Sequence, residues 1–143
     1  MSSVLTRVPE APDAARIAEL LCVLGYPSSA DEVLERLATI RDHRNFASWV
    51  AEADGAVVGF IGVCVSPAFE KNGVYGRILA LVVDPATQGL GVGRALVDTA
   101  ERWMTDQGAT DVFVNSGNHR PAAHEFYRRM GYDATGLRFR KVL

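Results

Sequence analysis

Hydrophobic positions along the chain recur at two spacings, and the switches between them mark the expected elements. Residues 3–8 alternate apolar with polar, the period of a short strand. From Pro12 the spacing becomes helical, with Ile17, Leu20, Leu21 and Leu24 on one face and Gly25 as the stop. Tyr26-Pro27 reads as a turn. Ser28 or Ser29 then caps a second helix that runs to about Arg41 through Val33, Leu34, Leu37 and Ile40. Strand signals follow over residues 46–53 and 57–65, joined by Asp54-Gly55, a strong hairpin turn. Residues 66–73 form a loop, and residues 74–83 are almost continuously apolar, as in a buried strand. A helix over about residues 91–107, with Leu96, Ala100, Trp103 and Met104, ends at Gly108, and a strand is expected at 111–115. Pro121 opens a short helix that stops at Gly131, and two short strands are expected to finish the chain. The order β-α-α-β-β-β-α-β-α-β-β implies an α/β (α+β) mixed sheet with helices on its faces, in one domain over residues 1–143.

Composition narrows the classes without choosing a function. The 143 residues are 48% hydrophobic and 22% charged, enough for one packed core. A net charge of −2, with no basic run and no aromatic-basic interleaving, argues against a nucleic-acid partner held by charge. Residues 1–4 lack the charged and apolar regions of a signal peptide. The apolar runs fall far short of the ~20 residues that span a membrane. No membrane contact is therefore expected, and the expected compartment is cytoplasmic. Cys22 and Cys64 have apolar neighbours and no zinc-ligand spacing, so both read as buried structural thiols and no metal is expected. An acyl-cysteine on Cys64 would need a base to form the thiolate, and the sequence shows none beside it.

The candidate chemistry begins where the buried strand ends. Val82-Val83-Asp84-Pro85-Ala86-Thr87-Gln88-Gly89-Leu90-Gly91-Val92-Gly93-Arg94 passes from a β-branched run through a proline turn into three alternating glycines at a helix start. Such glycines let backbone approach a ligand closely, and the first amides of the helix point outward with the positive end of its dipole. Arg94 in the first turn opposes that dipole, a cost that a bound anion would reverse. A Walker loop is a poor match, because Gly93-Arg94-Ala95 lacks the Lys-Ser/Thr pair. A dinucleotide fingerprint is also poor, since the spacing here is G-x-G-x-G and lies late in the chain. Gln-x-x-Gly-x-Gly, met by Gln88, Gly91 and Gly93, is the third reading. A glycine-rich turn without a ligand is the plain alternative.

A second motif spans Asn118 to Tyr132. Pro121 sits in the first turn of a helix, Gly131 caps it, and Ala122, Phe126 and Met130 share a face at i, i+4, i+8. Tyr127 lies about 100° around from Phe126, off the centre of that stripe and able to point its hydroxyl into a cleft. Taken alone, it reads as a core-edge aromatic. Together, Gln88 to Gly93 and A-x-x-F-Y-x-x-x-G-Y (Ala123 to Tyr132) resemble the GNAT acyl-CoA N-acyltransferases, whose motif order and strand-helix order this chain follows. Residues 80–93, Ala123 to Tyr127 and the ending Arg138-Phe139-Arg140-Lys141-Val142-Leu143 are most similar to the aminoalkylphosphonate N-acetyltransferase branch.

The resemblance implies the single-domain GNAT fold and transfer of acetyl from acetyl-CoA directly to a small primary amine. It assigns the pyrophosphate to Gln88, Gly89, Leu90, Gly91, Val92, Gly93 and Arg94, the pantetheine to Leu81, Val82 and Val83, and a further cofactor contact to Asn118. Tyr127 would touch the cofactor and protonate the departing sulfur. Where relatives often carry a carboxylate on the strand before the glycines, this chain has Leu79 and Ala80, so His124, His119 and Glu70 are the candidate bases. For both histidines a surface or packing role is the plain alternative. The family's asparagine position holds Arg120, with Asn118 two residues earlier. Arg77 reads either as a contact for an anionic acceptor or as a solvated strand-end cation. An anionic-amine acetyltransferase and a non-catalytic acyl-CoA-binding module are the alternative functions, and a homodimer is compatible with either.

Overall fold

The computed structural model describes residues 3–116 and 120–143, in two compact units that meet between Phe113 and Val114 in the sequence. Strands β1 (Val4–Arg7), β2 (Phe46–Ala53), β3 (Ala56–Pro67), β4 (Val74–Val83) and β5 (Ala109–Val114) form one sheet in the order β1-β2-β3-β4-β5. Neighbours from β1 to β4 are antiparallel. A helix joins β4 to β5, the long crossover that parallel neighbours need, and the sheet is mixed. Asp54 (φ 52°) and Gly55 (φ 78°) make the tight turn between β2 and β3.

Each face of the sheet is covered by helix. Ala14, Ile17, Ala18 and Leu20 of α1 (Ala14–Leu24) and Val33 of α2 (Ala30–Arg41) are buried with Val50, Phe60 and Val82. Ser29 caps α2, accepting from the Glu32 amide while Glu32 accepts from the Ser29 amide, which settles the choice between the two serines. The opposite face carries α3 (Val92–Asp106), where Val92, Leu96, Val97, Ala100 and Met104 are buried. Two strand glycines let this helix lie close. A Cβ on Gly59 would stand 2.9 Å from both Leu96 Cδ1 and Val92 Cγ1, and one on Gly76 would strike Met104. Arg7 ties β1 to its surroundings, donating to Asp13 at 2.7 Å and to Glu52 at 2.8 Å.

Several expectations need correction. Pro12 opens a 3-10 turn (Ala11–Asp13), and the α-helix starts only at Ala14. β3 runs to Pro67, which shortens the expected 66–73 loop, and β5 starts two residues early, at Ala109. Cys22 is exposed on α1 rather than buried. In the second unit α4 (Pro121–Arg129) forms as expected, but Ala122 is exposed and no residue of the helix is fully buried. The two C-terminal strands do not form: residues 132–143 are irregular, with Leu137, Phe139, Val142 and Leu143 exposed. Alternating apolar residues favour a strand only where a neighbouring strand takes up their backbone groups.

Candidate active site

Register and helix geometry build the candidate site at the end of β4. Asp84 leaves the sheet and accepts from the Ala86 amide at 2.9 Å, starting the 3-10 turn Pro85–Thr87. Its own amide donates to the Val58 carbonyl at 2.8 Å, so the turn stays fastened to β3. Gly89 (φ 86°) and Gly91 (φ 78°) then adopt left-handed backbone that residues with side chains avoid. Gly91 is the N-cap of α3, and no side chain caps the helix. The first bond of α3 runs from the Ala95 amide to the Gly91 carbonyl, at 3.0 Å. The amides of Gln88, Gly89 and residues 91–94 therefore have no acceptor among the described residues, and Leu90 donates to Thr87 at a long 3.4 Å. A Cβ at Gly89 or Gly91 would meet no heavy atom within 4 Å, so the space in front of these amides is open. Gln88, Leu90 and Arg94 are exposed, Val92 is buried, and Arg94 has no carboxylate partner among the described residues. An uncapped fifteen-residue helix headed by two open glycines fits a diphosphate: backbone donors, dipole and one cation meet there.

Leu81, Val82 and Val83 pair with Ile61, Phe60 and Gly59 on the β3 side. β5 is held at the other end of β4: Gly108 adjoins Val74, Lys71 reaches Asp111 at 2.7 Å, and Tyr75 meets Phe113 edge-on at 5.7 Å. β5 has six residues against ten in β4, which leaves Leu81 to Val83 past its end. An extended ligand can add to such an edge.

Two features of this region were not foreseen. Arg16 of α1 donates to Asp84 at 2.5 Å and to the Val57 carbonyl at 2.8 Å, so α1 braces the turn that leads into the glycines. In sequence Arg16 looks like a solvated helix residue, and the only signal was an Asp-Pro turn in need of a cation. The second feature is a bulge. Gly62 pairs with Ala80 and Val63 with Ile78, so Leu79 is the extra residue of β4 and stands half exposed.

Tyr127, within the second unit, meets Phe126 edge-on at 5.4 Å and Tyr132 at a tilt at 5.8 Å between ring centroids. Burial pushes its phenol above the usual tyrosine value, while Arg120 pulls the other way. His124 lies one turn earlier on α4, half-buried. Asn118 and His119 lie outside the described residues. Glu70 is exposed in the loop before β4, and β4 itself carries no acid. Burial raises the Cys64 thiol, partly offset by the Arg77 charge, so the thiolate that an acyl-cysteine requires is disfavoured.

Residues 14–132 match the model of the acetyltransferase (GNAT) family. The chain belongs to that family, whose members are N-acetyltransferases that use acetyl-CoA. N-acetyltransferase 8 of Rattus norvegicus is 32% identical over 70% of this chain and 45% of its own length. Aminoglycoside N(6')-acetyltransferase type 1 of Stenotrophomonas maltophilia is 32% identical over 86% of this chain and 82% of its own. A GNAT family acetyltransferase of Staphylococcus aureus superposes with a TM-score of 0.82 at 27% identity, over the whole of both chains. Against the mammalian relatives the chain spans less than half of their length. No helix among the described residues is long and apolar enough to cross a membrane.

Proposed function

We propose that the chain catalyses direct transfer of acetyl from acetyl-CoA to a small primary amine in a ternary complex. The observation that carries this reading is the uncapped start of α3 behind Gly89 and Gly91, with its free amides and open space. Those amides would hold the diphosphate, with Arg94 beside them, and the edge of Leu81 to Val83 would carry the pantetheine. A main-chain N–H at that edge would polarise the thioester carbonyl, a contribution of about 3 kcal/mol in comparable sites.

In the transfer, the amine nitrogen bonds to the acetyl carbon, the carbon–sulfur bond breaks, and the sulfur leaves with the electron pair. Tyr127 would give that sulfur its proton, and its burial favours the protonated phenol this role needs. The proton lost by the amine would pass to His124 or His119, or to water where the amine is already neutral. With no acid on β4, an alkylamine of pKa ~10 is about one part in a thousand neutral at pH 7, a handicap of roughly 4 kcal/mol.

The test is release of coenzyme A thiol in the presence of a panel of small amines. Turnover that depends on the amine supports the enzyme. Acetyl-CoA binding with no turnover on any amine would make the chain a binding module instead. The cytoplasm as its compartment and a homodimer as its assembly belong to the same proposal; fractionation and sedimentation test them.

A further inference from the structure

Among the described residues, one cation on the α1/α2 side of the sheet lacks a carboxylate partner. Phe60 and Val82 pair across β3 and β4 and are buried with the residues of α1 and α2, which fixes that face. Counting by twos and by register, Gly62, Cys64 and Arg77 lie on it as well, next to Phe46 and Ser48 of β2. Arg77 is the only charged residue among these positions. It stands mid-strand and half-buried, and among the described residues no carboxylate lies within ion-pair distance of it. Its guanidinium rests over the Tyr75 ring at 5.9 Å, and Cys64 feels its charge. A mid-strand arginine of this kind has given up part of its water without gaining an anion in exchange. Between it and Leu81 stand the bulged, half-exposed Leu79 and the small Ala80. Three residues, 78–80, separate Arg77 from Leu81, and with Leu79 bulged the span equals the three steps from Cys64 to Ile61 on β3, about 10 Å.

We propose that Arg77 recognises an anionic oxyacid group on the acceptor, set apart from the reacting amine by an apolar body that lies over Leu79. This rests on the acetyl-transfer reading, which puts the thioester beside Leu81. The recognised chemistry is a carboxylate or a phosphonate, to which a guanidinium donates two parallel hydrogen bonds. The acceptor is thus an amine with an acid several carbons away.

The experiment compares hexylamine with 6-aminohexanoate and 6-aminohexylphosphonate, using the wild type, Arg77→Gln and Arg77→Lys, each first shown to bind acetyl-CoA. Expected for the wild type is a preference of about tenfold or more in kcat/KM for an acid over hexylamine. Arg77→Gln should bring that ratio close to one, and Arg77→Lys, which keeps the charge but loses the paired hydrogen bonds, should keep only part of it. The carboxylate and phosphonate arms show which acid fits. A wild type indifferent to the acid, or a preference that survives in Arg77→Gln, overturns the proposal and leaves acetyl transfer standing. If acetyl-CoA fails to bind and no amine is acetylated, both readings fall together.

Discussion

Tyr127 and Gly91 carry the sharpest consequences of single side chains. Tyr127→Phe keeps the ring contacts with Phe126 and Tyr132 and removes only the hydroxyl, so kcat should fall about a hundredfold while acetyl-CoA affinity stays nearly constant. Unchanged turnover would take Tyr127 out of the mechanism. The pH profile follows from the same group. Rate should climb as the acceptor amine loses its proton and fall only when the phenol ionises, above the ordinary tyrosine value because burial raises it. A rate measured from pH 6 to 11 that peaks near neutrality would contradict this. Gly91→Val forces a β-branched residue into φ 78° and fills the open space before the amides. Its dissociation constant for acetyl-CoA, read by calorimetry, should rise at least about tenfold.

At the scale of elements, the start of α3 is held from two sides. Val92 packs under Gly59, so Gly59→Ala must push Val92 and Leu96 away. Overpacking of this kind costs about 1–3 kcal/mol, and here it displaces the turn that offers the amides. Thermal melts and acetyl-CoA titration of Gly59→Ala should therefore both worsen, whereas loss of stability at unchanged affinity would separate packing from binding. From the other side, Arg16 braces Asp84 across α1 and β4. Arg16→Gln should raise the KM for acetyl-CoA more than it lowers kcat. Most helices and strands were legible because periodicity, caps and turn residues agree at each: a serine cap at Ser28 or Ser29, Asp54-Gly55, and the glycine that heads α3. The C-terminal strands were misread because scattered apolar residues in a short tail say nothing about whether a partner strand is there. The bulge at Leu79 left no trace in the sequence, since one extra residue in an apolar run changes no pattern.

For the whole molecule, stability in acid should turn on the cluster that joins β1 to the start of α1. Asp13 is nearly buried, and its hydrogen bonds with Arg7 hold its carboxyl below the usual range. A carboxyl lowered by folding stabilises the protein above its unfolded pKa and loses that contribution as pH falls through the folded value. Wild-type melting temperature should thus drop on acidification below about pH 4. Asp13→Asn should lose about 2 kcal/mol at pH 7 and show a flatter acid limb. An acid limb identical in the two proteins would place the titration elsewhere. Ligand linkage acts on the same scale: acetyl-CoA at a hundred times its dissociation constant should add about 2.7 kcal/mol, seen as a raised melting temperature.

The amino-acid sequence by itself determined the element order from β1 to α4, the glycine-headed helix after a buried strand, and the Phe126-Tyr127 helix, because each depends on local spacing and backbone preference. Tertiary structure alone decided which amides stay unbonded, that Arg16 reaches Asp84, that Leu79 bulges, and that Arg77 stands mid-strand with no carboxylate partner among the described residues. Those facts depend on strand register and on what packs against each residue, and no short stretch of chain encodes them.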